Sequence, residues 1–161
     1  MIVHGAILTE RGSRQIGEIP RKAKVFNADR VANPTAFTLL KPIPDTRWVY
    51  LQIRGLLVHN GITVGNYGHW LAIHRATEIS TLRGWVAAHR ITQGTELPFI
   101  DCQTVAPYTR GKVTSGSPVN TGGSTAYVHA IQTCKSPSKI YRLTGSCIQH
   151  GLLLKTKGLD V

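Results

Sequence analysis

Tyr67-Gly68-His69-Trp70-Leu71-Ala72-Ile73-His74, with its continuation Gly84-Trp85-Val86-Ala87-Ala88-His89, holds two of the chain's three tryptophans and three of its seven histidines. The apolar runs are short, rich in bulky residues and separated by a stretch carrying Arg75, Glu78 and Arg83. That pattern predicts a strand pair joined by a turn or short helix. A histidine on such a strand is more often a satisfied core residue than a catalyst. It becomes chemical only when a thiol or hydroxyl from elsewhere in the chain reaches it.

Upstream, Trp48–Ile53 and Gly55–His59 read as strands, and Asn60-Gly61 as a hairpin turn, because both residues tolerate positive φ. Residues 1–35 carry Arg11, Arg14, Arg21, Lys22, Lys24 and Arg30 without a lasting apolar face, which predicts a basic, weakly ordered arm before a 36–161 domain. Downstream, residues 92–123 are rich in Gly, Pro, Ser and Thr, so long loops and short strands are expected. Ser124 reads as the N-cap of a helix over Thr125–Cys134, where Tyr127, Val128, Ile131 and Cys134 recur at helical spacing. Lys139–Thr144 alternates like a strand, and Cys147–Lys157 reads as a second helix closed by Gly158. No internal repeat is legible.

At 161 residues the chain suits one domain with a sizeable core. Nineteen Lys and Arg against eight Asp and Glu give a net charge of +11. Such an excess favours polyanions, so RNA or an anionic membrane surface is an expected partner, with a merely solubilising charge as the alternative. No apolar run approaches the roughly 18–20 residues that span a bilayer, and the start lacks a signal-peptide pattern. Cys102, Cys134 and Cys147 form no close pair, which argues for a reducing compartment rather than a disulfide framework.

Cys147 is the thiol best placed for chemistry on this reading. A cysteine opening a helix is stabilised as thiolate by unpaired backbone N–H groups and the helix dipole. Cys134 would sit at a helix C-terminus, where the dipole opposes ionisation. His59, His69, His74 and His89 crowd one region, yet His69 and His74 point to opposite faces of one strand and no Cys or carboxylate completes a zinc set. Neither metal nor cofactor is therefore expected. Thr114-Ser115-Gly116-Ser117-Pro118-Val119 is similar to the nucleophile loop of viral chymotrypsin-like proteases. Only 25 residues separate His89 from Ser115, however, too few for the strands between those roles.

Together, Gly55-Leu56-Leu57-Val58, Tyr67-Gly68-His69-Trp70 and Gly84-Trp85-Val86-Ala87-Ala88-His89 resemble the H-box of the lecithin–retinol acyltransferase and HRAS-like suppressor families. Tyr141-Arg142-Leu143-Thr144-Gly145-Ser146-Cys147 with Gln149-His150 resembles their NC motif, with Ser146 in place of its asparagine. Short, basic members of this superfamily occur as 2A proteins of picornaviruses such as parechoviruses and kobuviruses. The resemblance implies an α+β fold of the permuted papain-like (NlpC-type) kind, a small antiparallel sheet packed with helices. It implies His69 as general base, His89 as the residue orienting it and Cys147 as acyl-accepting nucleophile. The implied function is a viral non-structural accessory protein without protease activity, binding RNA or host proteins in the host cytoplasm or nucleus. The alternative it implies is an active thiol-dependent acyltransferase or phospholipase.

Overall fold

Extended backbone dominates the residues that the computed structural model describes, 1–20, 23–28, 32–34, 37–40, 47–59, 62–99 and 125–156. The first strands are β1 (Ile2–Val3), β2 (Ala6–Thr9), β3 (Gly12–Gln15), β4 (Lys24–Phe26), β5 (Ala32–Pro34) and β6 (Phe37–Leu40). Two strands of 13 residues follow, β7 (Arg47–His59) and β8 (Ile62–His74). Then come β9 (Thr77–Thr81), β10 (Gly84–Ala87), β11 (Glu96–Pro98) and β12 (Thr125–Lys135). The last are β13 (Ile140–Leu143), β14 (Ser146–Gln149) and β15 (Leu152–Thr156). Two 3₁₀ turns, Ile16–Glu18 and Ala88–Arg90, are the only helical elements among the described residues. No described helix is long and apolar enough to cross a membrane.

The strands pair antiparallel in four sheets, ordered β1-β13-β6, β3-β2-β4-β5, β10-β9-β15-β14 and β11-β12-β7-β8. The expected α+β fold is therefore replaced by an all-β one. β8 does pair antiparallel, but with β7 rather than with the Trp85 strand, so that Trp48 faces His74 and Ile53 faces His69. The Arg75–Arg83 stretch supplies strand β9, which pairs with β10. The residues expected as a basic arm supply β1 to β5, and Ile7, Leu8, Ile16, Val25 and Phe26 are buried there.

Both expected helices are strands, for identifiable reasons. In β12 the register shifts between Val128 and Ala130, so that Val128 faces Ile53 and Ile131 faces Leu51. The bulge inserts one extra residue, so two apolar residues three apart meet partners two apart. That imitates a helical repeat. At Cys147 the chain runs through β14, turns at His150-Gly151 and returns as β15. Both turn residues have positive φ, 47° at His150 and 83° at Gly151, as a tight hairpin with right-handed strand twist requires. Leu152, Leu153 and Leu154 are all buried because β15 lies inside its sheet, and such an apolar run carries no period that separates strand from helix.

The fold also contains a repeat. Residues 6–20 and 23–26 recur structurally at 78–92 and 95–98, an offset of 72 positions. Thr9 Oγ1 donates to Gly12 O at 2.7 Å and accepts from Arg11 N at 3.2 Å. Thr81 Oγ1 makes the same pair of bonds with Gly84 O and Arg83 N, at the same two distances. Gly12 and Gly84 have positive φ, and a 3₁₀ turn follows each hairpin. The closing bonds match as well: Glu10 N to Lys24 O and Leu82 N to Glu96 O, Ala23 N to Pro20 O and Thr95 N to Thr92 O. Each copy leaves a cavity beside its hairpin, about 360 Å³ at Thr9, Arg14 and Ile19 and about 510 Å³ at Thr81, Val86 and Ile91. The two cavities are equivalent by-products of one repeated architecture.

Candidate functional site

The first residue is held at the sheet by reciprocal backbone bonds. Met1 N donates to Leu143 O at 2.8 Å, and Leu143 N donates to Met1 O at 2.8 Å. The end of β15 approaches the same place from the other side, where Thr156 pairs with Thr77 of β9. β8 ends there too, at His74. Met1, His74, Thr77, Thr144 and Thr156 thereby line one cavity of about 210 Å³. The hydroxyl of Thr156 is buried and has no hydrogen-bond partner among the described residues.

His74 is half-buried, its ring in a T-shaped contact with Trp48, 5.4 Å between centroids and 86° between planes. Its Nδ1 accepts a hydrogen bond from Ala76 N at 3.3 Å. Burial, then the charges of Arg75 and the Met1 amino group, hold its pKa below the usual histidine value. Near pH 7 the ring is therefore neutral, with Nδ1 an acceptor and the proton on Nε2. A neutral imidazole presenting Nε2–H to this cavity can donate to a carbonyl oxygen and stabilise an oxyanion that develops there.

The structure puts the three residues singled out in the sequence into three different settings. Cys147 lies in β14, wholly buried, and not at the start of a helix. Burial pushes its thiol up to about 12, with the Met1 amino charge pulling weakly the other way, so it is protonated at neutral pH. His69 stacks on His150, centroids 3.9 Å apart and planes at 26°. Burial lowers the pKa of His69; burial and then the His69 charge push His150 down to about 4. His89 is exposed on the second 3₁₀ turn, its Nδ1 2.9 Å from Arg75 O. Ser115 and Cys102 lie outside the described residues. Thr156 and Met1 carry no motif, and His74 reads from the sequence only as a candidate metal ligand. Their juxtaposition depends on three strands far apart in sequence.

No protein-family model matches the chain, and no curated protein matches it. Its three-dimensional likeness is plainer. The gp41-1 intein superposes with a TM-score of 0.55 at 8% identity, over 98% of this chain and 99% of that one. The DnaX mini-intein of Spirulina platensis gives 0.53 at 15%, over 97% of this chain and 100% of the other. The bacterial intein-like domain of Clostridium thermocellum gives 0.51 at 15%, over 94% of both.

The fold is that of the inteins.

This Hint-type fold corrects the permuted papain-like expectation, and with it the resemblance to picornavirus 2A proteins and the acyltransferase families. The short aromatic and histidine-bearing segments that suggested an H-box are pieces of β7, β8 and β10 of an intein-like architecture. The viral accessory role, the acyltransferase alternative and the RNA-binding role attached to that resemblance gain no support from the intein-like neighbours.

Proposed function

We propose that the chain is an intein-like self-processing domain whose reacting centre is the cavity shared by Met1, His74 and Thr156. The observation that carries this reading is the convergence of Met1 and the last described strand on one neutral histidine, with a buried Thr156 hydroxyl on the same cavity that has no hydrogen-bond partner among the described residues. The intein-like fold supports it, with solved inteins superposing over nearly the whole chain.

The chemistry that suits these side chains is one-sided. The thioether of Met1 has no S–H and cannot hold a transferred acyl group as a stable thioester, so residue 1 accepts nothing. Cys147 is a protonated thiol in the core. Thr156 remains. Its Oγ1 attacks the Lys155 carbonyl carbon, the Lys155–Thr156 C–N bond breaks, and the hydroxyl proton passes to the leaving nitrogen. Water then hydrolyses the resulting ester to a Lys155 carboxylate and an amine-ended Thr156 segment. His74, as an Nε2–H donor, stabilises the oxyanion of the tetrahedral intermediate. Cys134 and Cys147 are both free thiols, which suits a reducing compartment.

The test is to incubate the purified full chain and sequence any fragment from its amino end. A fragment starting at Thr156 supports the proposal. A second reading, an intein-like domain that no longer processes, is favoured by the burial of the protonated Cys147 thiol, and an intact chain would establish it instead.

A further inference from the structure

We infer that Trp48 is a positioning residue for His74, fixing the imidazole, together with the Ala76 amide, as the Nε2–H tautomer that acts as donor in the Met1–Thr156 cavity. The inference rests on the reading of that cavity as the reacting centre, but its evidence is independent of any cleavage.

Trp48 and His74 are direct partners across β7 and β8, so their separation is set by the sheet and not by side-chain chance. Trp48 is 0% exposed and has no room to swing, and it meets His74 in the edge-to-face arrangement that aromatic quadrupoles favour. One ring direction is thereby fixed. The second constraint is the Ala76 N–H on Nδ1, which leaves Nε2 as the only ring nitrogen able to carry the proton of the neutral form. The indole Nε1 is buried without a hydrogen-bond partner among the described residues. A phenylalanine would fill much of the space without that orphan, so packing alone does not account for an indole here.

His74 consequently serves as an electrophile and not as a base. A ring whose Nδ1 is occupied and whose Nε2 is protonated has no lone pair to take the Thr156 proton. It can donate to an oxyanion, and that role fails if the ring rotates or the tautomers mix.

The experiment is long-range ¹H–¹⁵N correlation on the full chain with ¹⁵N-labelled histidine. The wild type should show His74 protonated on Nε2 with at least a roughly fivefold excess over Nδ1–H, the ratio one net hydrogen bond provides. Trp48→Phe, which keeps an aromatic ring for the T-shaped contact, should retain the excess. Trp48→Met, which fills volume without a ring, should average the two tautomers, while His89 is unchanged as internal control. His74 protonated on Nδ1 in the wild type overturns the inference, whether or not either variant folds. An unchanged His74 spectrum in a folded Trp48→Met chain overturns it too. A chain that never cleaves but shows the ordered tautomer refutes the processing proposal and supports this one.

Discussion

Met1 and Leu143 exchange two backbone hydrogen bonds, each 2.8 Å long, and so anchor the first residue to the end of β13. Because β13 leads through Gly145 into β14 and β15, that anchor also brings the beginning of the chain toward Thr156. The cavity there is a product of topology, not of any local motif.

Acid should loosen the fold through the His69–His150 stack. His150 has a folded pKa of about 4, below its unfolded value, so the unfolded chain binds more protons between the two. Its contribution is complete above about pH 6.5 and is lost as pH falls toward 4, by roughly 2–3 kcal/mol at most. Urea unfolding at pH 7 and pH 5 measures the loss. His150→Asn, which suits a positive-φ turn position, should flatten the dependence. An unaltered pH slope in that variant contradicts the assignment.

The two Thr hairpins should behave as equivalents. Thr9→Val and Thr81→Val each delete one side-chain bond to Gly O and one from Arg N, at a cost of about 2 kcal/mol per variant. The double variant should cost about 4 kcal/mol, since the sites share no partner. Chemical denaturation midpoints give all three values. Strong non-additivity would mean that the two copies are coupled through the core.

Part of the strand content is legible in the residues, while the all-β fold and the family likeness are not. The alternation of Trp48–Ile53 and of the His69 segment announced strands, and both are strands. The repeat left five identities at an offset of 72: Ile7 with Ile79, Thr9 with Thr81, Arg11 with Arg83, Gly12 with Gly84, Ile19 with Ile91. Thr-x-Arg-Gly twice was the signal, and it was thin because the other positions answer to different surroundings. The helix over Thr125–Cys134 was misread because a bulge gave β12 a three-residue apolar step, which period counting alone cannot distinguish from a helix. The site was not legible, because His74 and Thr156 meet only when β8, β9 and β15 are assembled.

Cys147 should resist modification. Its thiol is wholly buried and protonated, whereas Cys134 is half-buried. Native-state alkylation at neutral pH, mapped by peptide mass, should label Cys134 well before Cys147. Cys147→Ser should destabilise more than Cys147→Ala, by about 1–2 kcal/mol, because it buries a hydroxyl without a provided partner. Rapid native labelling of Cys147 would mean that the hairpin of β14 and β15 opens readily.

The most direct measurement is a time course of intact mass for the purified full chain beside Thr156→Ala and His74→Gln. The account predicts a product ending at Lys155 that accumulates in the wild type, is absent in Thr156→Ala and forms about 100-fold more slowly in His74→Gln. A wild-type mass that stays whole, or the same cut in Thr156→Ala, would contradict it.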